Sequence, residues 1–314
     1  MDTLEVLLKV APILVAITLG YVLTRLNVLK DSMIQALKTI VVQVTLPVAL
    51  FSSFIKIRFK SEYLLIFLSV FVACVLLYLL GKLIAKVFGI QSKYFPFLMT
   101  GFEAGMMGYA LFMTVYGKAS AANFGIVDIG QVSFVFLIFV PMLKNLGSKE
   151  RGIGSLKESL KIVVRSPIIW AIVLGLIGSI VGLWHYEETT VFKGIDNIFG
   201  FIAAPTAFLI CLVIGNGLNL SLKNIKIELL TALLKVVSAL AMAVALKHLV
   251  FIPLGMNKQI ITALFVLLAL PAPFVIPVFM KEPTESERSY VSNTLSIGSI
   301  LGVVCFVGII LLGL

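Results

Sequence analysis

The sequence predicts an all-α membrane protein. Ten transmembrane helices are expected in two inverted five-helix repeats, with helices 4 and 9 broken and crossing near the bilayer midplane. Three observations lead there. The 314 residues are 60% hydrophobic and only 13% charged, against about 45–50% and about 25% in soluble domains, and the mean hydropathy is +1.12. The apolar residues gather into ten runs separated by short charged breaks. Two of those runs, at matching places in the two halves, are interrupted by glycine or proline.

A hydrocarbon core of about 30 Å needs about 20 apolar helical residues. Runs meeting that length centre near Ala16, Val44, Ala73, Ala104 and Val132 in the first half, and near Leu174, Ala203, Ser238, Leu270 and Val303 in the second. They are too long for barrel strands and show no alternation of period two, so helices are the spanning structure. Residues 1–147 form the first repeat and 166–314 the second. The linker 148–165 alternates Leu156, Leu160, Ile162 and Val163 with Lys157, Lys161 and Arg165, the pattern of a short amphipathic helix on the inner surface.

The net charge of +10, from 25 basic and 15 acidic residues, does not point to nucleic acid. The basic residues sit singly between apolar runs and mark membrane faces. With the N-terminus outside, the inner loops gather the larger share of them, including Lys144 to Arg165 and, counted with the loops, Lys235. Both termini are then extracytoplasmic, against the opposing cluster Lys56, Arg58 and Lys60. The acidic start at Asp2 and Glu5, with no cleavage site after the first run, does not resemble a secretory signal. Cys74, Cys211 and Cys305 all lie in apolar runs without metal spacing and read as packing residues.

Five spans per half give the halves opposite orientation, the arrangement of inverted-repeat transporters. The second helix of each half carries a proline before a small-residue and phenylalanine stretch, VTLPVALF at Pro47 and IAAPTAFL at Pro205. The fourth is interrupted by TGFEAGMMGYALF, with Gly101, Gly105 and Gly108, and by LPAPFVIPVF, with Pro271, Pro273 and Pro277. A mid-helix proline costs roughly 3 kcal/mol and a glycine about 1 kcal/mol against alanine. Clustered at membrane depth, they free backbone groups that only protein or a polar cavity can satisfy. Two such breaks brought together make a binding site from the main chain. The plainer reading is a Gly101–Gly105 packing face beside simple proline kinks.

With these segments in hand, the chain resembles the auxin efflux carrier family, which includes bacterial malate and malonate permeases and the plant PIN proteins. The resemblance covers essentially the whole chain. It rests on LGYVLTRLNVL, TLPVALF, GFEAGMMGYAL, PAPFVIPVF and SYVSNTLSIGSI in that order. It implies ten helices in two inverted repeats, with the substrate at the crossing of helices four and nine. Many relatives place an asparagine-containing turn in the first break. This chain has Glu103 there, so a pattern of amide contacts is not carried over to it.

Glu103 is an acid at mid-span, where an ionised carboxylate costs roughly 2.5–3.5 kcal/mol. It is expected to be neutral at rest. Three roles are open: coupling a proton to transport, capping free N–H groups beyond the break, or lining the site. Gln43, Thr45 and Thr206, beside Pro47 and Pro205, are candidates for lining a cavity. Asn293 recurs with Ser296 and Ser299 on one face of the last helix and is a candidate contact. Asp128 lies with Gln131 and Ser133 at spacings that do not share one face, so a structural role and a cavity role both stand. Asn216 and Asn219 suit helix capping, Arg25 an interface anchor, and His185 and His248 membrane boundaries.

No HExxH, P-loop, GxSxG or paired-aspartate motif is present, so no enzyme, metal or other cofactor is expected. The expected function is secondary transport of a small organic anion across the plasma membrane by alternating access, driven by protons. Sodium coupling through freed carbonyls and a passive channel are the alternatives. The substrate, the direction of transport and the oligomeric state, a homodimer included, stay open.

Overall fold

A computed structural model describes residues 3–58, 60–146, 164–217, 225–280 and 283–313. Every regular element among them is helical. The expected amphipathic helix of the linker falls on residues 147–163, outside the described residues.

The chain begins with α1 (Thr3–Arg25) and α2 (Ser32–Phe54), followed by α3 (Glu62–Phe88). A short α4 (Phe95–Leu98) leads into a break, and the helix resumes through a wide turn at Ala104–Gly108 into α5 (Tyr109–Tyr116). The first half closes with α6 (Lys118–Lys144). The second half runs through α7 (Pro167–Val181), α8 (Thr190–Ala203), α9 (Thr206–Gly217) and α10 (Lys226–Phe251). Then α11 (Lys258–Ala269) ends at a second break, followed by the short α12 (Ile276–Phe279) and the long α13 (Glu285–Leu311).

Among the described residues, six stretches are long and apolar enough to cross a membrane: α2, α3, α6, α8 with α9, α10 and α13. The apolar segments Ala11–Arg25, Pro167–Val181 and Lys258–Ala269 are shorter. Leu64, Leu65, Leu68, Leu76, Leu79 and Leu83 stay exposed along α3, as expected of a face that meets lipid rather than water.

Prolines shape three of the long helices in the same way. Wide π turns at Val41–Thr45, Val135–Phe139 and Lys247–Phe251 lie just ahead of Pro47, Pro141 and Pro253. A proline donates no hydrogen bond, and its ring crowds the carbonyl one turn back. Widening the turn by one residue relieves both problems. At Ala204-Pro205 the helix breaks instead, separating α8 from α9.

Small residues set the closest approaches. Gly215 of α9 lies against the backbone of Ile17 and Tyr21 on α1, where any Cβ would collide. Such contacts let helix backbones approach where no hydrophobic force drives them together. At the far end of the chain, α13 starts with a reciprocal capping box. The Thr284 hydroxyl accepts from the Glu287 N–H, and the Glu287 carboxylate accepts from the Thr284 N–H.

One charge is misplaced by the sequence reading. Lys235, counted with the inner loops, lies within α10 and is 3% exposed. Loop counting takes every lysine as an interface marker; this one is held inside by the groups it meets at the first break.

Candidate functional site

The first break is built around Gly101. Its φ of +67° is left-handed, a conformation costing other residues roughly 1–2 kcal/mol. A Cβ there would also lie 2.8 Å from Cγ of Pro273. This glycine therefore lets the chain turn and lets the second break come close. From Gly101 to Glu103 the backbone is non-helical, which frees successive carbonyls.

Each freed carbonyl finds a donor. Lys235 Nζ donates to the Gly101 carbonyl at 2.7 Å. Gln131 Nε2 donates to the Phe102 carbonyl at 2.7 Å. The Gly108 N–H donates to the Glu103 carbonyl at 3.1 Å across the wide turn. Beside them, the Thr100 hydroxyl donates to the Cys74 carbonyl of α3 at 2.6 Å. Buried backbone groups are almost always paired, and here side chains from α6 and α10 do the pairing that a continuous helix would do for itself.

The two breaks bond directly to one another. The Glu103 N–H donates to the Pro271 carbonyl at 3.0 Å, and Glu103 Oε2 accepts from the Phe274 N–H at 2.6 Å. Residues 271–273 are buried, and Pro271 and Pro273 leave this stretch with few donors of its own. Gly298 and Gly302 bring α13 against Pro271, where added Cβ atoms would lie at 3.2 Å.

Charge at this crossing is concentrated and buried. Glu103 is 9% exposed, Asp128 2% and Lys235 3%. The ammonium of Lys235 sits 4.1 Å from the centre of the Phe102 ring, a cation–π distance. Asp128 accepts from the Tyr109 hydroxyl at 3.1 Å and from Gln131 Nε2 at 3.3 Å. Asp128 and Glu103 lie within electrostatic reach of each other. The Gln131 amide oxygen has no hydrogen-bond partner among the described residues.

The other candidates spread more widely. Gly105 follows Glu103 and is open, an added Cβ lying 3.9 Å from Glu103 Oε1. Pro47 and Thr45 are buried in α2, and the Thr45 hydroxyl oxygen has no partner among the described residues. Gln43, one turn away, is exposed, and so is Pro205. The Thr206 hydroxyl is buried but is used up within its own chain segment, donating to the Ala203 carbonyl at 2.8 Å. The wide turn of α2 packs on α9, and α9 packs on the turn 104–108, so these residues stand behind the crossing. Asn293 is buried in α13 and donates to the Ser289 hydroxyl at 3.4 Å.

Two side chains of the crossing, Lys235 and Tyr109, are not among the candidates from sequence, and Gln131 enters there only as a neighbour of Asp128. The available signal was a lysine well inside an apolar run, in register with Glu228 and Thr231. Asp128 and Gln131 share a face at helical spacing, whereas Ser133 lines a separate apolar cavity with Ile172 and Leu176. Asn216 bonds to the Thr24 hydroxyl at 3.2 Å, tying α9 to α1; Asn219 lies outside the described residues. Arg25 stacks over Tyr21 with 5.2 Å to the ring centre.

Chemically, the crossing offers main-chain donors and acceptors held off their own helices, one ammonium and two carboxyl groups, all away from water. A family model described as a membrane transport protein matches residues 5–310. No curated protein matches the chain.

Proposed function

Since the chain belongs to the auxin efflux carrier family of membrane transport proteins, we propose that it is a proton-coupled secondary transporter of small organic anions, working by alternating access at the crossing of its two breaks. The observation that carries this reading is the carboxylate of Glu103 bonded across the gap to the Phe274 N–H, beside Lys235 on the Gly101 carbonyl. A carboxylate of the protein already occupies a place shaped for one. A substrate carboxylate competes for the same N–H and the same ammonium.

Proton coupling follows from charge balance. Two buried carboxyl groups and one buried amine are neutral together when one carboxyl holds a proton. Any further buried charge is expensive. An incoming anion adds a negative charge, which protonation of Glu103 offsets. Protonation also weakens its acceptor role toward Phe274 and loosens the link between the breaks. The anion and the proton thus favour the same rearrangement.

In this reading the ten apolar segments form two inverted five-helix repeats, residues 1–147 and 166–314, in the plasma membrane with both termini outside. One bundle rocks against the other around the crossing. Purified protein in proteoliposomes tests it. Labelled malate or malonate is expected to accumulate under an imposed pH gradient and to show counterflow. Uptake that only equilibrates, with no counterflow, describes a channel and rejects the proposal.

A further inference from the structure

A second polar feature lies away from the crossing. A cavity of about 680 Å³ opens where the end of α3 meets the first turns of α10 and α13, lined in part by Gln91, Glu228, Ser286, Glu287, Ser289 and Tyr290. All three chain segments lie at the end that the basic-residue bias assigns to the cytoplasm. Glu228 is 6% exposed, and its Oε2 has no hydrogen-bond partner among the described residues. A buried carboxyl oxygen left without a partner among the described residues is placed to exchange hydrogen bonds with water in the cavity it lines.

From this cavity a line of polar side chains runs inward along α10. Glu228, Thr231 and Lys235 are spaced three and four apart, the spacing that stacks side chains on one helix face. All three are buried. Lys235 lies about 10 Å deeper than Glu228 at 1.5 Å per residue. Between them the Thr231 hydroxyl bonds to the Tyr290 hydroxyl of α13 at 2.9 Å. The line ends where Lys235 Nζ meets the Gly101 carbonyl. A helix in lipid rarely carries an acid, a hydroxyl and an amine on one buried face without a function.

We propose that this face of α10 is the route by which the coupling proton passes between the cytoplasmic-side cavity and the crossing, with Glu228 as its mouth and Lys235 as its inner station. The proposal rests on the proton-coupled reading above. In the inward-to-crossing direction, the Glu228 carboxylate takes a proton from water in the cavity. The paired hydroxyls of Thr231 and Tyr290 accept it on one oxygen and release another from the other. The Lys235 ammonium first gives a proton to a carboxylate at the crossing, and the neutral amine so formed takes up the proton arriving from the hydroxyls, restoring the ammonium that bonds Gly101. Each step moves one proton and leaves the relay groups unchanged.

Other ionisable groups meet this row from the elements packed on α10. From α13 come Tyr290 and, at the cavity, Glu287, which is paired with Lys93 at 2.9 Å. From α3, Cys74 lies within electrostatic reach of Lys235. The first break contributes Glu103. The α4 segment carries no ionisable side chain, and the α11 lysine, Lys258, lies in its first turn, beside the end of α10 remote from Glu228.

The test uses the whole protein in proteoliposomes with an entrapped pH dye and labelled malate. Glu228→Gln is expected to lower the protons entering per malate taken up in net uptake about tenfold or more, the scale of losing one positioned proton carrier. Thr231→Val is expected to do the same, and Thr231→Ser to restore the ratio. Wild-type ratios in Glu228→Gln and Thr231→Val overturn the route while leaving malate transport standing. If the wild-type protein moves no malate, the rate of proton uptake by the protein after a pH jump, followed with the dye, decides instead: a rate lowered about tenfold in both Glu228→Gln and Thr231→Val supports the route, and wild-type rates in both overturn it.

Discussion

Lys235 Nζ donates to the carbonyl of Gly101 at 2.7 Å, joining residues 134 positions apart in the chain. A side chain of the second half thereby closes a gap in the backbone of the first. Removing it leaves a buried acceptor unpaired. Lys235→Met is expected to lower stability by about 1–3 kcal/mol, read as a drop in melting temperature of the detergent-purified protein. Lys235→Arg should recover part of this loss, and a wild-type melting temperature in Lys235→Met would show that the bond contributes nothing.

Gly101 answers to two constraints at once, its left-handed backbone and the nearby ring of Pro273. Gly101→Ala is expected to cost about 2 kcal/mol or more, the backbone share alone being roughly 1–2 kcal/mol. Gly105→Ala meets no atom closer than 3.9 Å and should be tolerated within about 0.5 kcal/mol apart from ordinary helix propensity. Thermal unfolding of the two variants side by side checks the contrast.

Glu103 joins the breaks through a side-chain oxygen, and an amide oxygen accepts the same bond. Glu103→Gln is therefore expected to keep the bond from the Phe274 N–H and to stay within about 1 kcal/mol of wild type. Its uptake of labelled malate should no longer respond to pH, because the titrating group is gone. A pH profile unchanged from wild type would remove Glu103 from coupling, while Glu103→Ala, which lacks the acceptor, should be the less stable variant.

The Lys93–Glu287 pair sits at the rim of the polar cavity, 2.9 Å apart, with side chains 40% and 26% exposed. The hydrogen bond to Glu287 raises Lys93 above the usual lysine range. A lysine so raised contributes its stabilisation fully below its unfolded pKa and loses it as pH climbs through the folded value. At neutral pH Lys93→Met should cost at most about 0.2–1 kcal/mol, because water and salt screen an exposed pair. The difference from wild type should vanish in strongly alkaline buffer. Melting temperatures across that range, in low and high salt, measure it.

Much of this was legible in the sequence, for physical reasons. Apolar runs of membrane length and scarce charge leave helices as the spanning structure. Glycines and prolines at mid-run are costly enough to mark Gly101, Pro271 and Pro273, and an acid at membrane depth is costly enough to mark Glu103. Lys235 did not stand out, because charge-bias reasoning files each lysine under loops and its partner is a backbone oxygen, which has no sequence signature. Gln131 was noticed only as a neighbour of Asp128, since its bond to Phe102 joins separate helices. Pro47 and Pro205 look alike in sequence, yet the first is buried beyond a wide turn and the second is exposed at a break. Local composition does not carry what packs around a kink.

The turns ahead of Pro47, Pro141 and Pro253 have one more effect. Each inserts a residue, and a residue is about 100° of rotation around a helix axis. Stripes drawn along α2, α6 or α10 as if the spiral were uniform therefore slip sideways at the insertion. Residues that look opposed on a helical wheel become neighbours, and mutational scans of these helices need a separate phase on either side.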